Sequence, residues 1–525
     1  MVDYAWTDNP TESGVSDCNA DVLNECLMNL KYNSSGGGIP TSNCKFLTKK
    51  VSGTSVSLKW KDPDDTVIDG FTLSSWAGTQ IVRKMGSYPT SATDGVVIAD
   101  NKTRNAYLKT AFADTLPDSN TYYYRAFPYS TNGVYNLDND NYFYSAIIYG
   151  FRIDTTDSNP ATRVSYITGC HNELFSAGYM NYTTGLFNYG DWANAFFMPR
   201  PVMLKYDGTV AYELNPNDYT LKADGTASDI ANTAFGGNAM MGFPQVWIKY
   251  ETVGIYQNVY ISNQQVDSDY RCFTHYNKSN VLRDEIYVAI YQPANISSVL
   301  RSISGQTILV GAAGTTEIAY AQANGLSWNT GTCADWMMIN MLLTLISKST
   351  DTQTKFGAGY NSSANATTGE LNKKGLFFGT SANGAVKVFG IENYYGNYWK
   401  RIAGLVYTAT GIKLKMTEGT QDGSTVTGYN TDGTGYITPG ITASGTSGGY
   451  ISASTLTAYG LYPAVASGSS STYFCDGLWW AAGGYALVGG SYDSGLLDGA
   501  FTLSLGNAVS TSDATLGASL SCKPL

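Results

Sequence analysis

Acid–base chemistry needs two carboxylates held close together, or a nucleophile beside a base. The carboxylates in this chain that could take part are scattered. Asp284 and Glu285 adjoin, while Glu370 and Glu392 stand apart. Glu392 lies in the run Gly-Ile-Glu-Asn, where a buried turn would make it a structural hydrogen-bond acceptor. The two histidines, His171 and His275, have no Ser or Cys at a spacing known for a catalytic pair. Cys170 precedes His171, but adjacency in sequence does not build a cysteine–histidine dyad. Cys18, Cys26, Cys44, Cys170, Cys272, Cys333, Cys475 and Cys522 are spread along the chain with no Cys-x-x-Cys pair. With two histidines, that spread argues against a structural zinc site and for mostly buried thiols. A Cys475–Cys522 disulfide is the one pairing left open. The expectation is a protein that is not an enzyme and holds no metal or cofactor.

The pattern that stands out instead is one of recognition. The chain has 56 Gly and 40 Tyr but only 14% charged residues, against roughly 25% in ordinary globular proteins. Tyr gives contact area at low entropic cost, while Ser, Gly and Asn adapt their hydrogen bonds. The final stretch, GGYALVGGSYDSGLLDGAFTLSLGNAVSTSDATLGASLSCKPL, alternates strand-like apolar runs with Ser, Asp, Tyr and Gly clusters. Exposed aromatic rings beside small polar groups stack on sugars or anchor protein contacts.

These residues need elements to hold them. A chain of 525 residues predicts several domains. Its net charge of −10 disfavours nucleic acid, which is bound through Lys and Arg. The N-terminus, MVDYAWTDNPTESG, has neither a basic n-region nor an apolar h-region, so no standard secretion signal is expected. The Asn-x-Ser/Thr sequons at Asn101, Asn181 and Asn361 therefore carry no weight. The longest apolar run, WMMINMLLTLI, is shorter than the about 20 residues a bilayer span needs, so no membrane insertion is predicted. Within residues 1–43, Val22, Leu23, Cys26, Leu27 and Leu30 fall on one helical face, with Asp17 as a cap. A lone helix so short is marginal in water, so this segment is a candidate attachment and oligomerisation device. A Gly/Ser linker follows.

In residues 44–150, Val56, Leu58 and Trp60 alternate with polar residues on an early strand, and a Tyr-rich run, TYYYRAFPYS, comes late. This resembles a fibronectin type III module. Asp207-Gly208 and Asp224-Gly225 mark turns in the β-rich residues 151–310. In residues 311–525, DWMMINMLLTLISK predicts a helix capped by Asp335, apolar on nearly all sides and therefore buried. A Gly/Thr-rich loop at 416–450 comes next.

From about Phe151 onward, seven runs occur in a recognisable order: MPRPVMLKYDGTVAYELNPNDYTLKADGT, RCFTHYN, LRSISGQ, WMMINMLLTLI, FGIENYYGNYWKRIAGL, YFCDGLWW and ALVGGSYDSGLLDGAFTLSLGNA. The order resembles phage tail proteins that end in a C-type-lectin-like domain, akin to formylglycine-generating enzymes and to targets of diversity-generating retroelements. The resemblance implies a multidomain chain: an N-terminal helix, an all-β fibronectin type III-like sandwich, and an α+β lectin-like domain with β-rich insertions. It also implies a virion tail or fibre protein, assembled in the host cytoplasm, that binds a bacterial surface receptor, glycan or protein. A homotrimer and contacts with other tail proteins follow from the same likeness. The ligand face of diversified relatives matches Trp479, Trp480, Ser491, Tyr492, Asp493, Ser494, Leu497 and Asp498. The copper-site cysteine pair of the enzymatic relatives has no counterpart here. The carbohydrate-binding runs of calcium-dependent lectins are also missing; NPND and WNTG are superficial echoes. Two other readings compete: a baseplate, collar or capsid-decorating protein that binds no receptor, and a glycan-degrading tail enzyme.

Overall fold

Strand alternation is realised early in the chain. On the strand Ser55–Lys61 the side chains of Val56, Leu58 and Trp60 are all fully buried, with half-exposed residues between them. The structure, a computed structural model, describes residues 39–68, 71–108, 110–138, 141–416 and 433–525. The helical face from Val22 to Leu30 and residues 417–432 of the Gly/Thr-rich loop lie outside the described residues. Strand far outweighs helix throughout. The chain divides into two compact units, Met1–Ala146 and Ile147–Leu525.

In the first unit a four-stranded and a three-stranded sheet share one core. Val56, Leu58 and Trp60 come from one sheet, and Ile81, Tyr124 and Ala126 from the other. Trp60 packs edge-on against Phe143, and its indole N–H donates to the buried Asp62 carboxylate at 2.8 Å.

The second unit is organised around the helix Cys333–Ser347, every residue of which is buried. An all-round apolar helix has no surface to give to water. The cap is Thr332 rather than Asp335. The Thr332 hydroxyl accepts from the Asp335 amide while the Asp335 carboxylate accepts from the Thr332 amide. This is a reciprocal capping box, with the acid three residues inside the cap. Lys348 closes the helix in a left-handed conformation.

A seven-stranded sheet lies on this core. Its strand Arg200–Lys205 is apolar on both sides because both faces are covered. Met203 faces the main core, while Val202 and Leu204 face a second cluster that includes Trp328 and Ala321. The Asp207-Gly208 and Asp224-Gly225 signals become turns, with both glycines at positive φ. A nine-stranded sheet carries most of the C-terminal strands, while the last, Ser521–Cys522, joins the seven-stranded sheet. Among the described residues no helix is long and apolar enough to cross a membrane.

His275 shows how deep this core is. Its ring is fully buried; Nε2 lies 3.1 Å from the Phe243 carbonyl, and Nδ1 lies 2.6 Å from the Thr274 hydroxyl. Burial pushes its pKa from 6.5 down to about 4. The folded state therefore keeps the ring neutral where the unfolded chain takes up a proton. The contribution is complete above pH 6.5 and is lost as pH falls toward 4, by about 3 kcal/mol in all. Urea unfolding between pH 4 and 7 should show that slope in the stability difference between the wild type and His275→Gln.

Candidate functional site

In a strand, neighbouring side chains point to opposite faces. Trp479 and Trp480 end the strand Gly477–Trp480 and therefore part company. Trp480 packs against the main core. Trp479 turns to the other face, where it meets Trp399, Leu487 and Leu516. The Trp399 and Trp479 rings stand edge to face, 5.5 Å apart and 87° inclined. The strand Leu503–Asn507 runs parallel beside Trp479, and Ser504 is its register partner. Gly477 permits the arrangement, because a Cβ there would sit 2.5 Å from the Trp479 ring.

Across this face lies the turn after the strand Gly484–Val488. Ser491 begins it and is buried; its hydroxyl donates to Asp493 Oδ1 at 2.5 Å, and its amide donates to Ser494 Oγ at 3.1 Å. The Tyr492 amide donates to the Asn397 carbonyl, and the Tyr492 ring meets Tyr398 edge-on at 5.8 Å. Gln353 Nε2 donates to the Leu496 carbonyl at 2.9 Å and also to that of Asp498. Beyond the turn, Ala500 is held by the central helix, with both Trp336 Nε1 and Asn340 Nδ2 donating to its carbonyl. The turn is thus anchored at both ends to the deepest part of the core.

Together these elements enclose a groove of about 300 Å³ lined by Trp399, Trp479, Asp493, Ser494, Leu497, Ser504 and Asn507. The structure brings together four of the contact residues expected from sequence: Trp479, Asp493, Ser494 and Leu497. It places the others elsewhere. Trp480 packs, partly buried, against the core, Tyr492 turns to Tyr398, and Ser491 and Asp498 are buried supports of the turn. Trp399, Ser504 and Asn507 were not anticipated. Trp399 lies about eighty residues upstream of Trp479, and only the sheet order reveals their meeting.

Asp498 is fully buried, with Ser494 and the Ser491 backbone beside its carboxylate. Burial holds its pKa well above the usual carboxylate range, against the pull of Lys400. Lys400 is pushed down to about 7 by the same burial. Its ammonium faces the Gly396 and Tyr398 carbonyls at 3.3 and 3.2 Å. Glu392 accepts from the Gly369 and Leu371 amides, at 2.8 Å each, in a buried turn. Cys475 and Cys522 are both free thiols. Among the described residues no group of three His, Cys, Asp or Glu could hold a metal ion. No protein-family model matches this chain, and no curated protein matches it.

The groove has an aromatic floor, a polar rim and one charge, the Asp493 carboxylate. Such a surface can stack on the apolar face of a ring and hydrogen-bond the hydroxyls at its edge. It offers no cation to a phosphate or a carboxylate.

Proposed function

We propose that the chain is a phage tail or fibre protein and that its C-terminal groove binds a bacterial surface glycan. The observation that carries this reading is the pairing of Trp399 and Trp479 under a rim of Asp493, Ser494 and Asn507, on a turn pinned to the core. A receptor site needs rigidity with reachable aromatic area, and here the partly exposed Trp479 is backed by the buried Trp399. The order of motifs supports a lectin-like C-terminal unit. A three-stranded and a four-stranded sheet around buried Trp60 and Tyr124 support a fibronectin type III-like spacer. Weak binding at each groove would be multiplied by several copies on one particle. The charge of the groove selects a neutral or amino-bearing glycan over an anionic one.

The test is binding of the full chain to immobilised envelope polysaccharides from a panel of bacteria, with and without periodate cleavage of vicinal diols. Saturable, periodate-sensitive binding is expected. Binding that survives periodate but not protease would move the receptor to a surface protein. Absence of binding across the panel and to intact cells would favour a purely structural virion role, and reducing-end release would favour an enzyme.

A further inference from the structure

A second pocket lies on the other side of the same turn. The short 3-10 helix Gly495–Leu497 separates the two, with Leu497 lining the groove described above and Leu496 lining the second pocket. The second pocket has a volume of about 340 Å³, within the range of small-molecule sites. We propose that it is an independent binding site for a neutral or amino-bearing saccharide unit, held between Tyr182 and Leu496 and hydrogen-bonded by Asp351, Gln353, Ser381 and Ser470.

The walls suit a sugar ring. Tyr182 leaves 37% of its surface exposed and Leu496 leaves 56%, so an aromatic and an aliphatic face are both open to solvent. The Tyr182 ring is fixed by its hydroxyl, which donates to the Gln353 and Thr354 carbonyls at 3.0 Å each. A ring held in place loses little entropy when a ligand stacks on it.

The polar groups are positioned but not used up. Asp351 caps the helix Thr352–Phe356, its two oxygens accepting from the Thr354 amide and hydroxyl at 2.9 and 2.5 Å. Each carboxylate oxygen keeps further acceptor capacity for a ligand hydroxyl or amine. Gln353 spends its amide protons on the Leu496 and Asp498 carbonyls, which leaves Oε1 to accept. Ser381 and Ser470 are exposed and also line the pocket.

The same lining excludes other ligands. No Lys or Arg lines the pocket, while Asp351 does, so phosphates and uronic acids are disfavoured. Cys475 also lines it, but burial and the nearby Asp351 and Asp476 hold its thiol protonated, so the pocket binds without offering a thiolate nucleophile.

Saturation-transfer NMR on the full chain tests this, with N-acetylglucosamine, glucosamine, galactose and glucuronate as probes. Asn507→Trp fills the first groove and Ser381→Trp fills the second pocket; both positions lie on the accessible rim, so the fold should tolerate either change. With the first groove filled by Asn507→Trp, transfer to at least one neutral or amino sugar is expected to persist, and adding Ser381→Trp to that variant should lower it at least tenfold, with glucuronate weaker throughout. A Ser470→Trp chain should repeat the Ser381→Trp result. Transfer abolished by Asn507→Trp alone would overturn the second site and leave the first standing. Loss in Ser381→Trp alone, with envelope binding also insensitive to Asn507→Trp, would instead overturn the first. Preference for glucuronate, or no transfer from any probe, would refute the second site.

Discussion

Replacing Glu317 with glutamine is expected to destabilise the second unit by about 3–5 kcal/mol, the usual cost of leaving a buried charge without its partner. Glu317 lies on the helix Gly314–Gln322, and its Oε2 is 3.1 Å from Arg401 Nε. Both side chains are shut off from solvent, at 1% and 0% exposure. Arg401 Nη2 also donates to the Thr511 carbonyl at 3.0 Å, so the guanidinium cannot swing out to water without losing that contact. Burial pushes the Glu317 carboxyl up to about 7 against the pull of Arg401. A raised carboxyl adds stability that is complete below pH 4.5 and is lost as pH rises through about 7, so the comparison belongs near pH 5, where the loss is largest. Arg401 is two residues after Trp399 on the same strand, so strain there should also disturb the groove floor. A Glu317→Leu/Arg401→Met double replacement should recover most of the loss, because an apolar pair removes both desolvation costs. Urea denaturation reads both; a loss below about 1 kcal/mol for Glu317→Gln would show that the pair is incidental.

The second large effect is expected at Gly490, where the last strand residues enter the turn. Its φ is +78°, and a Cβ there would fall 1.9 Å from Asp498 Oδ1. Alanine would meet left-handed backbone strain of about 1–2 kcal/mol and overpacking of about 1–3 kcal/mol. Asp498 cannot yield easily, being buried beside Lys400 and Gly396. Relief must come from the turn itself, which would carry Asp493, Ser494 and Leu497 away from Trp479. Gly483→Ala is the matched control: φ is +85° but nothing lies within 4 Å of the added Cβ. Thermal unfolding should separate the two by about 1–3 kcal/mol, and only Gly490→Ala should also lose ligand binding. Equal effects at both positions would mean that the Asp498 contact does not set the turn.

What could be read from sequence follows from which forces are local. The buried helix was legible because a run with no polar face leaves a helix nowhere to go but the core. Its cap was misplaced by three residues, since both Thr332 and Asp335 are good capping types and only the reciprocal bonds decide between them. Trp479 was legible as a candidate by its type, and the structure places it on the groove wall. That Trp480 turns inward follows from strand alternation once the register is known. Ser491 and Asp498 looked like surface residues because polar turns usually are. Their burial depends on Gly490 leaving room for a carboxylate, which composition does not reveal. Ser504 and Asn507 were out of reach because a parallel pairing between non-adjacent strands delivers them, and Trp399 because two strands separate its own strand from that of Trp479 in the sheet.

The most direct measurement is the affinity of the full chain for whichever envelope glycan it retains, compared among wild type, Trp479→Ala and Asn507→Trp under matched conditions. A central aromatic anchor is worth about 2 kcal/mol or more, so each variant should bind at least roughly 30-fold more weakly while unfolding cooperatively like the wild type. Affinity unchanged in both variants would contradict the assignment of this groove as the receptor site.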